Sequence, residues 1–361
     1  MRKLASIRLI DGIYPIDGAD RIELAQVDSW FVIVKKDEFK VGDKIVYIEI
    51  DSLLPSDNPE FAFMERYKYR VKTIKMRGVY SQGLIFSTQI VPPKITKMGY
   101  NVTVWEPYEL GADVTDVLKI VKYEPPETFE NAPHSSTWDN DTPKTDEERV
   151  QNLGKKYAKY QKIDDVWIQS VKLDGTSVTY QLIDGVFRVF SHNCEIPPAE
   201  GSLWEWAINN QIEQKMRSYC CSHNMPENIA LQGEMVGPGI QQNRQQYESK
   251  TVKFFYIFDR NSKQYFAHDD FISAICDEMG LETVPILSDT FNISDYSVAQ
   301  LLDMAEKYDV ESSTRQEGFV FYTRKSNPVV NVDEFHSLIT PSGRISFKVK
   351  SNKYVLDFES R

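Results

Sequence analysis

A lysine that closes a β-branched run and is followed at once by a carboxylate and a glycine is the feature of this chain best suited to covalent chemistry. In the stretch IQSVKLDGTSVTY, Lys172 ends a strand pattern and Asp174, Gly175, Thr176 and Ser177 form the turn beyond it. An ammonium on a rigid strand end there meets a glycine loop able to approach a phosphate closely. For Lys172 to act as a nucleophile its pKa must fall, and nearby cations or a metal with its bound substrate would lower it. Taken alone, Lys-x-Asp-Gly suits a surface hairpin with a solvated lysine better. Further acids and cations stand downstream. Glu234 in LQGEMVG and Glu317 in EGFVF each sit at a strand end beside a glycine, where a carboxylate can reach a hydrated hard cation. Lys348 and Lys350, two apart in SFKVK, share one strand face and can point at one phosphate, although a lysine on an edge strand also serves as a solvated gatekeeper.

The elements that must position these groups follow from composition and pattern. The chain has 361 residues, with 42 Lys+Arg against 53 Asp+Glu and a formal net charge of -11, so any contact with a polyanion needs a local basic patch. It lacks a run of about 18 apolar residues, and its N-terminus has no unbroken apolar core. An intracellular, soluble protein in a reduced compartment is expected. The four cysteines have no Cys-x-x-Cys spacing and form no zinc-like cluster with the five histidines. Short alternating stretches broken by turn residues over 1–120 predict a β-barrel of about five strands. Residues 121–145 are rich in Pro, Thr, Asn and acids and read as a linker or strap. Residues 146–361 mix β-rich runs with amphipathic stretches at 147–160, 203–220, 269–279 and 298–308, which predicts an α+β domain. Thr145 or Asp146 is the expected N-cap of the first helix, with Arg149 one turn inside.

Inside the acidic chain lies one basic run, RYKYRVKTIKMR. It carries Arg66, Lys68, Arg70, Lys72, Lys75 and Arg77 with Tyr67 and Tyr69 between them. Period-two alternation would place Arg66, Lys68, Arg70 and Lys72 on one strand face, a strip fit for a nucleic-acid backbone. A charged edge strand protected from aggregation is the alternative.

In order and spacing, KLDG at Lys172, LQGEMVG at Glu234, FFYIFD at Phe255, EGFVF at Glu317 and SFKVK at Lys348 resemble motifs I, III, IIIa, IV and V of the covalent nucleotidyltransferases, the superfamily of polynucleotide ligases and capping enzymes. The resemblance spans about residues 143–353. It implies an N-terminal OB-like β-barrel followed by a nucleotidyltransferase domain of antiparallel sheets flanked by helices. It further implies that Lys172 is adenylylated from ATP, that Asp174 and Gly175 form the nucleotide loop, and that Phe255 stacks on adenine. Glu317, Glu234 and Asp174 would serve Mg²⁺ or Mn²⁺, with Lys348 and Lys350 on the α-phosphate and Arg149 on the departing pyrophosphate. His192 stands where motif Ia carries arginine. An imidazole cannot make arginine's bidentate contact, so His192 itself, Arg188 or Asn193 would meet the ribose. The module ahead of the lysine resembles the OB domain of one group of RNA ligases, which implies a monomeric ATP-dependent enzyme sealing 3′-OH/5′-phosphate breaks in RNA or RNA-containing nicked duplexes, with no membrane partner. An RNA guanylyltransferase, a DNA ligase and a non-catalytic RNA-binding protein are the alternatives.

Overall fold

The computed structural model describes residues 3–98, 102–123, 136–325 and 343–360. The chain divides into two compact units, one of Met1–Glu127 with Val355–Arg361 and one of Thr128–Tyr354. The final residues thus belong with the first unit, and the boundary differs from the division at 120 and 145 that composition suggests. Residues 121–145 are not a uniform linker. Val121–Lys122 pairs with Ser52–Leu53, Ser136–Thr137 pairs with Cys194–Ile196, and residues 124–135 lie outside the described ones. Among the described residues no helix is long and apolar enough to cross a membrane.

The first unit is built from short antiparallel strands. Ala5–Leu9 pairs with Lys44–Ile48, which pairs with Leu84–Ser87. Gly12–Pro15, Ile22–Val27 and Trp30–Lys35 form a meander. Alternation sends Trp30, Val32 and Val34 inward and Phe31 and Lys35 outward. The inward side chains join Ile7, Val46, Ile48 and Phe61 in one core.

The basic run does not form the expected strand. Asn58 accepts a hydrogen bond from the Glu60 amide and Pro59 occupies the first turn, so Pro59–Tyr67 winds into a 3₁₀ helix. Lys68 and Tyr69 then take left-handed φ values of 52° and 59°, and only Thr73–Met76 is strand. No period-two face carries Arg66, Lys68, Arg70 and Lys72. Arg70 turns inward instead. It stacks on Tyr123 with 3.8 Å to the ring centroid, pairs with Asp51 at 3.2 Å and donates to the Glu359 carbonyl at 2.5 Å. Lys72 is half-buried, whereas Arg66, Lys68, Lys75 and Arg77 are exposed.

The second unit holds two antiparallel sheets. The larger runs Ser136–Thr137, Cys194–Ile196, Val186–Phe190, Thr176–Ile183, Asn228–Val236, Thr251–Asp259 and Gln264–Tyr265 in spatial order. The smaller runs Ile286–Phe291, Trp167–Lys172, Gly318–Thr323 and Ser346–Lys350. Helices Gly201–Asn209 and Ile212–Ser222 bury Leu203, Trp204 and Met216 against Tyr180, Leu182 and Leu231 of the larger sheet. Helix Val298–Glu311, started by a Ser297/Gln300 capping box, sets Leu301 and Ala305 on Phe319, Phe321 and Phe347 of the smaller. A third cluster, with Ile168, Ala230, Tyr256 and Tyr322, draws on both sheets.

Local backbone breaks divide the predicted helices. Gly154, at φ 50°, separates Val150–Leu153 from Lys155–Tyr160. Gln211, at φ 55°, separates the two helices over 201–222. Helix His268–Ile272 continues as a π-helical turn, Ser273–Glu278. The first cap is Arg149, with no side-chain hydrogen bond. Thr145 and Asp146 lie upstream of it.

Candidate active site

Register brings the reactive residues together. Lys172 lies opposite Gly318 across one strand boundary, and Gly318 lies opposite Lys350 across the next. Glu317 enters just before that glycine, so its carboxylate reaches both amines. Lys172 Nζ is 2.9 Å from Oε2, and Lys350 Nζ is 2.5 Å from Oε1. Only glycine fits at 318: φ is +143° and a Cβ would fall 2.0 Å from the Val349 carbonyl oxygen. Lys350 is no solvated gatekeeper, since its side chain is only 10% exposed.

Lys348 shares that strand face. Burial, then the charges of Lys172, Lys350 and Arg149, push its ammonium down to about 7. Its strand is the edge of the smaller sheet, yet the chain ahead of the first helix docks along it. Lys348 N donates to the Glu148 carbonyl at 2.8 Å, and Arg149 pairs with Lys348 in a parallel bridge. Arg149 therefore lies beside Lys348, as the cap residue of the first helix of this unit.

The turn after Lys172 packs against the strand of Glu234. A Cβ on Gly175 would lie 2.3 Å from the Met235 carbonyl oxygen. Ser177 is the register partner of Glu234. The half-buried Glu234 carboxyl is pushed up to about 8, first by burial, with Lys172 pulling it down and Glu317 and Asp174 pushing it up.

Asp174 is engaged elsewhere. It accepts from Tyr354 Oη at 2.5 Å and from the Arg244 guanidinium, and its own amide donates to Gln245 Oε1 at 3.3 Å. Arg244, Gln245 and Tyr354 escape sequence reasoning. The first two lie in the polar, aperiodic run GPGIQQNRQQYESK, and Tyr354 follows the last motif with no pattern of its own.

Of the remaining residues, His192 Nε2 lies 3.5 Å from Asp146 and Asn193 Oδ1 accepts from Lys144 at 2.9 Å. Arg188 is held by Glu195 through two hydrogen bonds of 2.9 and 2.6 Å. Phe255 is partly buried, edge-on to Tyr256 at 5.0 Å and packed beside Val171 and Leu173.

Among the described residues no group of three or more His, Cys, Asp or Glu is placed to hold a metal ion by itself. Glu317, Glu234 and Asp174 thus do not form a ready cage. The donor set fits a hydrated hard cation held by one or two carboxylates together with phosphate oxygens. Glu234, whose charge burial disfavours, and Glu317 suit that part; Asp174 is committed to Arg244 and Tyr354.

Glu234 carries a stability consequence. Its folded-state pKa lies above the unfolded value of 4.5, so the folded protein binds the extra proton and loses stability as pH rises from about 4.5 to about 8. Without divalent metal, Glu234→Gln is expected to melt above the parent chain, by a margin that widens over this range and is constant beyond it. Melting temperature against pH, with chelator present, checks this; a margin that is flat or shrinks with pH would contradict it.

The sequence profile of the RNA ligase family matches residues 165–350, from ahead of Lys172 through Lys350. The chain belongs to the RNA ligase family. A profile described as an OB-fold domain matches residues 4–88 of this ligase, so its OB module precedes Lys172. Among solved structures, it resembles Naegleria gruberi RNA ligase with PPi at 30% identity and a TM-score of 0.80, covering 100% of both chains. A lysine-to-methionine variant of that ligase with AMP and Mn matches at 30% identity, TM-score 0.80 and full coverage of both chains. A lysine-to-alanine variant with ATP and Mn matches at 29% identity and TM-score 0.80, over 99% of this chain and 100% of that one. No curated protein sequence matches the chain.

Proposed function

We propose that this RNA ligase is ATP-dependent and seals 3′-OH/5′-phosphate breaks, above all nicks with an RNA 3′-OH strand, through a lysine–AMP intermediate. The observation that carries the reading is the Glu317 carboxylate held between Lys172 and Lys350, with Lys348 beside them. In the first step Lys172 Nζ, having given up a proton to water, attacks the α-phosphorus of ATP; a P–N bond forms, the bond to the β-phosphate oxygen breaks, and pyrophosphate leaves. The P–N bond then breaks as AMP moves to a 5′-phosphate, and a 3′-OH displaces AMP to close the strand. Phosphoryl transfer of this kind is mainly positioning and charge neutralisation. Lys348 and Lys350 steady the α-phosphate, and Arg149, beside Lys348, steadies the departing pyrophosphate. Mg²⁺ or Mn²⁺, held by Glu317 and Glu234, supplies further neutralisation of phosphate charge when bound. Asp174, through Arg244 and Tyr354, fixes the lysine loop. His192 reaches a ribose hydroxyl, and Phe255 stacks on adenine.

The complexes of the Naegleria gruberi ligase with ATP, AMP, Mn and PPi support this reading. So do its variants, which alter a lysine, an aspartate two residues beyond it, two glutamates and a further lysine. These residue types recur here as Lys172, Asp174, Glu234, Glu317 and Lys348. Within the basic run of the OB module, the exposed Arg66, Lys68, Lys75 and Arg77 are the cations left for the RNA backbone.

The test is to seal nicked duplexes in every RNA/DNA strand combination and to label the protein with ATP and GTP. Adduct formation with ATP and sealing at least about tenfold faster behind a ribose than a deoxyribose 3′ end, a discrimination of about 1.4 kcal/mol, is expected. The 2′-hydroxyl is what such a site can read. An adduct with GTP alone points to a guanylyltransferase, and equal sealing behind both sugars points to a DNA ligase.

A further inference from the structure

The segment 142–149 crosses the catalytic unit as a strap, bonded at nearly every residue. Gln181 and Gln232 of the larger sheet donate to Thr142 Oγ1 at 3.0 Å and to the Pro143 carbonyl at 2.8 Å. Lys144 and Asp146 meet Asn193 and His192, and the Thr145 hydroxyl is 2.9 Å from that of Ser177. The chain then leaves that sheet and runs along the Lys348 strand, where the Glu148 carbonyl and Arg149 pair with Lys348.

Glu147 stands at the crossing. One carboxylate oxygen accepts from Tyr256 Oη of the larger sheet at 2.8 Å, and the other accepts from Ser346 Oγ of the smaller at 2.5 Å. Glu147 is buried, and Ser346 lies two residues before Lys348 on the same strand face. Behind Tyr256, Arg344 stacks on the rings of Tyr256, Tyr322 and Tyr265 at 3.8, 4.6 and 5.0 Å.

We propose that Glu147 is a positioning residue for lysine adenylylation: it ties the sheet bearing Glu234 to the edge strand bearing Lys348 and holds Arg149 beside that lysine. Glu147 touches no reacting atom in this role. It sets where Lys348, on the α-phosphate, and Arg149, on the pyrophosphate side, stand, and a displacement of about 1 Å there costs on the order of 100-fold in rate. The inference rests on the lysine–AMP reading given above.

The experiment uses the full chain and follows two quantities in single turnover: the rate of lysine adenylylation with ATP, and the pyrophosphate concentration that half-maximally discharges the lysine–AMP. Glu147→Ala is expected to slow adenylylation about 100-fold and to raise the half-saturating pyrophosphate at least about tenfold, the signature of misplaced cations. Glu147→Gln should recover most of both, because each hydroxyl partner can accept as well as donate. Tyr256→Phe and Ser346→Ala each remove one tether and should shift both quantities part of the way, which keeps the test sharp should Glu147→Ala fold poorly. A lowered melting temperature with both quantities unchanged in the tether variants overturns the inference. Failure of the parent chain to form any adduct with ATP overturns the lysine–AMP reading itself, a separate outcome.

Discussion

Lys172→Ala is expected to form no covalent adduct with ATP, a loss of at least about 10⁴-fold in single turnover, and yet to seal a strand supplied with AMP already on its 5′-phosphate. In the proposed reaction Lys172 acts only while the protein itself is being charged, so deleting it removes the P–N bond and leaves the later displacement by a 3′-OH chemically possible. Glu317 keeps Lys350 as a partner in the variant, so the carboxylate is not stranded and the site should persist. Intact-mass spectrometry with ATP, and gel assays on a pre-adenylylated nick, read the two halves separately. An adduct of AMP mass on the variant would move the nucleophile to another residue. Loss of sealing on the pre-adenylylated strand would mean that Lys172 is also needed after charging.

Lys348→Ala is expected to slow adenylylation by about 10²–10³-fold, the range for removing one preorganised group from developing charge. The free protein holds Lys348 at about 7, so at pH 8 it is mostly neutral. The phosphates of ATP favour the charged form and raise its pKa on binding, and ATP binding at pH 8 must therefore take up protons. Calorimetry of ATP binding without divalent metal, repeated in buffers of different ionisation heat, should show that uptake in the parent chain and its loss in Lys348→Ala. Equal proton exchange in both would assign the uptake to another group.

The grouping of Lys172, Glu317, Lys348 and Lys350 was legible from the sequence because it depends on strand ends and alternation. Lys172, Lys348 and Lys350 lie on strands of the smaller sheet and Glu317 leads directly into the strand between them, so once that sheet forms, register brings the four together. The basic run misled for a local reason: Asn58 and Pro59 start a 3₁₀ helix and two left-handed residues break the alternation, so charge spacing in sequence says little about charge spacing in space. The cap at Arg149 was missed because residues 142–149 are held by distant partners such as Gln232 and Ser346, which outweigh Thr145 and Asp146 as local start signals. Arg244 and Tyr354 were invisible, since nothing in their neighbourhood repeats or alternates and their meaning comes from Asp174, reached across the fold.

The grouping of Val355–Arg361 with the first unit, sealed by the hydrogen bond from Arg70 to the Glu359 carbonyl, bears on the order of assembly during synthesis. Domains emerging from the ribosome generally fold in sequence, N-terminal first. Here the earliest-made module has its last piece delivered only after the whole intervening unit has been translated. A nascent chain halted short of residue 355 would carry that module with the Arg70 guanidinium still waiting for its final acceptor, so completion of the first fold becomes a report that the second has been made.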